Sequence, residues 1–388
     1  MNSLIKKYGN PNAVIFSDNP DTYNVIWGFD EIFKINDKQL FNSNILNDLQ
    51  KSINQWKKSS NKIGAIGYFA YDAKQLFYPK VKFKINKSSI PIAWFGKPKI
   101  IEQVSRTEFH NFYTESCKIN KSIDLLEQNQ YNDKINIIKK YLKAGDVYQI
   151  NFTQPIKYKY KGCSSLELFA ILSKFSKPNF GGYLDMNSHQ VLSLSPENFF
   201  KKTNNTISSS PIKGTRTRSS NIDKDQELKK ELEKSSKDRA EHVMIVDLIR
   251  NDLGKICNFG SVKTNNLFKV YSFETIHHMV SDVTGELNDN TQEIDIFKAL
   301  FPGGSITGAP KQRSMEIIDE IENYSRGVYT GSMGFISNTG DMNFNIAIRT
   351  LTTYKDEITY PVGGGIIWDS DPYDERAEAI HKSKVMNI

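Results

Sequence analysis

Near the middle of the chain, Pro211-Ile212-Lys213-Gly214-Thr215-Arg216 holds one lysine between an isoleucine and a glycine. If a turn draws that lysine into a pocket, the loss of hydration favours the neutral amine, which is a nucleophile. Left at the surface, the same lysine is one cation of a basic loop, and these six residues leave both readings open. Upstream, Glu197 follows Pro196 at the end of an apolar, strand-like run. A carboxyl there can serve as a general acid, although most glutamates beside a proline are surface residues.

Two acid pairs follow at helical spacing. Asp238 and Glu241 are three residues apart, as are Glu375 and Glu378, so each pair shares a helix face. Four converging carboxylates without cysteine or clustered histidine suit a hard, oxygen-seeking ion such as Mg²⁺. The alternative is surface salt bridging, for instance Glu378 with Lys382 one turn on. Arg349 interrupts the apolar run Asn345–Thr350. Buried, it needs a partner, and its planar fork suits a carboxylate; at an edge strand it simply reaches solvent. Gly363-Gly364-Gly365 offers backbone N–H groups free of side chains. Phe301–Lys311 opens onto a helix start, where anions are favoured. Neither stretch has P-loop spacing, and both also read as plain turns. A dicarboxylate fits this set better than a nucleotide.

These residues need elements to hold them. Short β-like runs at Ala13–Ser17, Val25–Phe29, Ile66–Tyr71 and Ile92–Phe95 lie between polar turns. Asp133–Lys143 reads as a helix with Ile135, Ile138 and Leu142 on one face, stopped by Gly145. A strand is expected at Val147–Gln154, then a helix capped by Ser165. The charged stretch Asp223–Lys237 is a solvated helix or loop, followed by an amphipathic helix from Asp238 to Ile249. Further helices are expected to begin at Pro310 and at Asp371-Pro372. Strands at Val328–Ile336, Met342–Leu351 and Ile358–Trp368 lie between them. Strand clusters alternating with single long helices predict an α+β architecture. Residues 1–118 form a β-rich part and 119–388 carry the site, with no linker to separate them.

Composition narrows the function. The 388 residues are 38% hydrophobic and 24% charged, which is ordinary globular chemistry. The net charge of +7 is carried by lysines scattered along the whole chain, unlike the concentrated basic arm of a nucleic-acid binder. No apolar run approaches the length of a membrane helix. Cys117, Cys163 and Cys257 have no metal spacing and give no even-numbered disulfide framework. They fit a reducing compartment and a cytoplasmic protein.

Taken together, the segments resemble the chorismate-utilising enzymes, a family that includes anthranilate, aminodeoxychorismate, isochorismate and salicylate synthases. The resemblance runs from Gly145-Asp146-Val147-Tyr148-Gln149 to the last helix. It includes Asp238-Arg239-Ala240-Glu241-His242, Val246–Asp252, His278–Ser281, Phe301–Lys311 and Asp374-Glu375-Arg376-Ala377-Glu378. It implies an α/β sandwich of two curved antiparallel sheets flanked by helices, with the site in a cleft between them. It also implies Mg²⁺ held by Glu241 and Glu378, with Asp238 and Glu375 in support. Substrate contacts are expected from Gln149, His278, Ser305, Tyr329, Arg349, Gly363 and Gly365.

Within the family, water-adding members carry lysine at the place of Gln149, which speaks against a water-adding enzyme here. Pro-Ile-Lys-Gly-Thr resembles the aminodeoxychorismate branch, whereas anthranilate synthases usually read Pro-Ile-Ala-Gly-Thr. In that branch the lysine matching Lys213 attacks C2 of chorismate, a glutamate matching Glu197 assists proton transfer, and ammonia adds at C4. The resemblance thus implies amino-group transfer to chorismate, of the transaminase class, in p-aminobenzoate and folate biosynthesis, with anthranilate synthesis as the alternative. Gly67–Asp72 resembles a family segment, while the Leu-Leu-Glu-Ser signature of feedback tryptophan binding is absent. No cysteine sits in a Gly-x-Cys-x-Gly elbow. Ammonia is therefore expected from solution or from a separate glutamine amidotransferase subunit, and with the chain ending at Ile388 a fused lyase domain is not expected.

Overall fold

The computed structural model describes residues 1–84, 88–113, 116–273 and 276–387. Its strands are paired antiparallel throughout and join into one network of 18 strands among the described residues, flanked by helices. This is the expected α+β fold. The first hundred residues are woven into the rest: Ala13–Phe16 pairs with Phe180–Asp185, and Ile63–Phe69 pairs with Ser332–Ser337.

Several elements follow from local sequence. The helix Gln128–Ala144 buries Tyr131, Ile135 and Ile138 and ends at Gly145, whose φ of 77° is open to glycine at little cost. The helix Ser165–Ser176 is capped one residue earlier than expected. Ser164 accepts from the Glu167 N–H, and Glu167 reaches back to Ser164 in a capping box. The charged stretch is the helix Ile222–Lys234, and Ser235 then caps a longer helix, Ser236–Gly254, which carries Asp238 and Glu241. Pro310 caps the helix Lys311–Ile321. Asp371 accepts from the N–H groups of Tyr373 and Asp374 at the start of Pro372–Ser383, with Pro372 at its first position.

Two expectations need correction. Met342–Leu351 is not one strand. It breaks into Met342–Ile346 and Thr350–Tyr354 because Arg349 adopts φ 48°, a left-handed conformation that ends a pleat. The cysteines are not all free either. Cys117 and Cys163 are joined as a disulfide with Cα atoms 5.3 Å apart, and Cys257 alone is unpaired. The expectation treated cysteines only as motifs, whereas the strand Lys118–Ile123 pairs with Gln149–Lys161 and brings the residues flanking both strands together.

The core beside the site is aromatic. Phe69, Phe297, Phe344 and Phe200 pack edge to face, with ring centroids 4.7 Å apart for Phe69–Phe297 and 4.9 Å for Phe297–Phe344. Such pairs add about 0.5–1.5 kcal/mol each beyond the burial of their area. They seat the helix Glu293–Leu300, which leads into the Phe301–Lys311 loop.

Candidate active site

The strand Ile212–Thr217 pairs with Ile276–Glu286, and its register slips between Lys213 and Thr215. The slip is a bulge at Gly214, where φ is 72° and a Cβ would lie 2.7 Å from Leu232 Cδ1. Glycine is therefore required for the bulge, and the bulge sets the direction of Lys213. The lysine is mostly buried, but its surroundings are not apolar. Its Nζ donates to Glu241 Oε1 at 2.5 Å, from the Ser236–Gly254 helix. Across the bulge, the Thr215 hydroxyl lies 2.9 Å from His278 Nδ1. Burial lowers the His278 pKa, and the Arg349 charge lowers it further against a hydrogen bond to the Gly214 backbone.

Glu197 lies in the link between the strands His189–Ser195 and Asn198–Thr203 and is only 8% exposed. Burial pushes its carboxyl up to about 7, while the Lys213 charge, the Ser305 hydroxyl and the Lys382 charge pull the other way. The Ser305 hydroxyl donates to Glu197 Oε1 at 3.4 Å. A carboxyl poised near neutrality can hold a proton and release it at working pH.

The second half of the site comes from Glu357–Ile366 and the helix after it. That strand pairs with Gln149–Lys161, setting Gly363 opposite Thr153 and Gly365 opposite Asn151. A Cβ on Gly365 would sit 2.4 Å from Gln149 Nε2. Gln149 is fully buried, and both ends of its amide are without a hydrogen-bond partner among the described residues. A buried amide in that state calls for a partner, which a bound polar group or an ordered water can supply. Lys382 donates to the Gly363 carbonyl at 2.8 Å and to Glu378 Oε1 at 2.5 Å. Arg349 lines a cavity of about 350 Å³ with His381, Lys382 and Lys384, and no carboxylate side chain lines it among the described residues. Tyr329 is buried, which raises its hydroxyl pKa.

The four acids do not form one cage. Asp238 accepts from Arg216 at 3.1 Å, Glu241 from Lys213, Glu375 from Ser370 at 2.6 Å and Glu378 from Lys382. Among the described residues no three His, Cys, Asp or Glu side chains converge to enclose a metal. The expected four-carboxylate cluster is therefore two pairs, each acid held by its own neighbour. The helices that carry them are within electrostatic reach of each other. Glu375 is raised by burial and by Glu378 and lowered by Ser370, by Lys382 and by Lys237 of the opposite helix. Mg²⁺ needs only one or two carboxylates, with water and substrate oxygens for the rest, so Glu241 and Glu378 fit it by donor type.

The structure thus brings Lys213, Glu241, Glu197, Ser305, Lys382 and Glu378 around one centre, with His278 and Arg349 at its side. Sequence reasoning took Lys382 only as a salt-bridge partner and passed over Thr215 and Ser370. The i+4 spacing of Glu378 and Lys382 was the available signal.

Residues 110–387 match the family described as chorismate binding enzyme. The chain is 42% identical over 257 residues to aminodeoxychorismate synthase component 1 of Escherichia coli (strain K12), covering 66% of this chain and 56% of that protein. It therefore spans little more than half the length of that relative. It is 33% identical over 379 residues to anthranilate synthase component 1 of Saccharolobus solfataricus, covering 94% and 89% of the two chains. Anthranilate synthase component I from Streptococcus pneumoniae superposes with a TM-score of 0.81 at 23% identity, covering 96% of this chain and 93% of that one. With the matched region holding Lys213, Glu197, both acid pairs and Arg349, the chain belongs to the chorismate-binding enzyme family.

Proposed function

We propose that this enzyme is an aminodeoxychorismate synthase component, converting chorismate and ammonia to 4-amino-4-deoxychorismate, a precursor of p-aminobenzoate and folate. The observation that carries the reading is Lys213 on its glycine bulge, held by Glu241 beside the buried carboxyl of Glu197. An ammonium donating to a carboxylate has no lone pair to offer. Lys213 therefore reacts after passing its proton on and leaving Glu241. Its amine forms a bond to C2 of chorismate, the ring double bond shifts, and the C4–OH bond breaks with the proton from Glu197, releasing water. Ammonia then bonds to C4, the double bond returns, and Lys213 leaves C2. The sum is chorismate plus ammonia giving product plus water, an amination with no keto-acid exchange of the transaminase kind.

Arg349 and Lys382 are suited to the substrate carboxylates, and the Gln149 amide is free to orient a polar group of the ring. Glu241 and Glu378 would hold Mg²⁺, which supplies positive charge to a substrate carboxylate when bound. Ammonia would come from a glutamine amidotransferase subunit or from solution.

Anthranilate synthesis is the second reading, supported by the 94% coverage of the Saccharolobus solfataricus relative. Mass identification of the product from chorismate, Mg²⁺ and ammonium separates the two. Aminodeoxychorismate supports the first, and anthranilate with pyruvate replaces it with the second.

A further inference from the structure

Two buried charges lie outside the chemistry just described. Lys311 Nζ donates to Asp252 Oδ2 at 2.6 Å and to the Leu300 carbonyl at 2.7 Å, and both side chains are 5% exposed. Leu300 immediately precedes the Phe301–Ala309 loop and Lys311 follows it closely. One ammonium therefore ties the two ends of the loop together. Asp252 adds a second tie, because it sits on the Ser236–Gly254 helix that carries Glu241. The loop approaches that helix closely: a Cβ on Gly304 would lie 2.1 Å from Leu248 Cδ2. Inside the loop, Thr307 Oγ1 donates to the Gly303 carbonyl at 2.7 Å. Ser305, the loop residue that reaches Glu197, is thus placed by a frame whose fixed point is the Lys311–Asp252 pair. A cavity of about 20 Å³, room for a single water, is lined by Glu197, Ser305 and Asp252 together, so the pair borders the same small space as the carboxyl.

A buried pair of this kind is weak as a source of stability, because desolvation offsets most of the attraction. Its connections give it another use. We propose that Lys311 and Asp252 are positioning residues that hold the Ser305 hydroxyl on Glu197. The groups facing Glu197 are then Lys213 from its strand, Lys382 from the last helix and Ser305 from the loop, and only the last depends on the pair. Releasing the loop removes a donor that favours the carboxylate, so Glu197 holds its proton to higher pH.

The proposal deepens the role given to Glu197 above, so the test includes a readout that needs no substrate. Glu197 is titrated in the free protein by carbon-13 NMR of labelled glutamate, in wild type, Ser305→Ala, Lys311→Met and the Ser305→Ala/Lys311→Met double variant. Lys311→Met leaves Asp252 with Lys255, whose Nζ is 2.8 Å away. Should that variant fail to fold, Asp252→Asn/Lys311→Met removes both charges at similar volume. The Glu197 midpoint is expected to rise by roughly 0.5–1 pH unit in Ser305→Ala. It should rise similarly in Lys311→Met and no further in the double variant, the coupling of residues acting in series. With chorismate, kcat should fall about 10- to 100-fold with little change in KM. A wild-type midpoint in folded Lys311→Met or in the double-charge variant, with Ser305→Ala shifted, overturns the proposal. A wild-type enzyme that ignores chorismate while the midpoints shift as described overturns the functional reading alone.

Discussion

Lys213 Nζ and Glu241 Oε1 lie 2.5 Å apart, joining a bulged strand to the helix that supplies both acids of one pair, Asp238 and Glu241. The contact puts the proposed nucleophile and a proposed metal ligand in competition for each other. Lys213→Ala should lower turnover of chorismate by about 100-fold or more while the fold persists. Steady-state kinetics with far-UV circular dichroism checks both halves, and full turnover in the variant would remove the covalent role.

The pH profile follows from two groups. Free ammonia rises about tenfold per pH unit while ammonium predominates, and protonated Glu197 falls about tenfold per unit above its midpoint near 7. At fixed total ammonium the rate should therefore climb up to about pH 7 and flatten above it. Glu197→Gln should be slower by about 10²–10⁴-fold. Its residual rate should keep climbing past pH 7, because the group that flattened the profile is gone. A profile still level in that variant assigns the break to another group.

Glu241→Gln and Glu378→Gln preserve shape and remove charge. Each should weaken Mg²⁺ and chorismate binding together, by about tenfold or more. Isothermal titration measures both, and unchanged affinities in the two variants would exclude these residues as ligands.

Arg349 makes no side-chain hydrogen bond or ion pair among the described residues, yet its backbone is held at φ 48°. Strain of that kind at a cavity wall points to use rather than support. Arg349→Gln should raise KM for chorismate by about 10- to 100-fold, the loss of a charge-assisted contact. The urea midpoint should stay unchanged, since no partner is left unpaired.

Gly214→Ala tests the bulge. Alanine at a positive φ costs about 1–2 kcal/mol, and its methyl meets Leu232 Cδ1. Urea titration should show that loss, and kcat should fall further than global stability explains because Lys213 is redirected. Equal kcat in wild type and variant would mean that the bulge does not aim the lysine.

Local features were legible in the sequence wherever a residue's own chemistry decided the outcome. Gly145 stops its helix, and Asp371 and Pro372 start theirs. What stayed hidden depends on partners far along the chain. Lys213 meets Glu241 across 28 residues, and Glu197 meets Ser305 across 108. Periodicity records which face is apolar but not which surface it meets. The break at Arg349 was missed for a related reason, because an apolar run with one charge reads as a strand and nothing in it announces a left-handed residue. The acids were read as one cluster since their spacing was visible and their basic neighbours were not.

The pairing of Ile63–Phe69 with Ser332–Ser337 also governs the order of events during synthesis. The later strand leaves the ribosome more than 260 residues after the earlier one, which at about 5–20 residues per second is a delay of roughly 15–50 s. Through that interval the early strand has Ala93–Ser105 on one side and an open edge on the other. Open edges are where chains recruit the wrong partner. That edge stays open until nearly all of the chain has emerged, and a chaperone that covers it would act on yield without touching the candidate site.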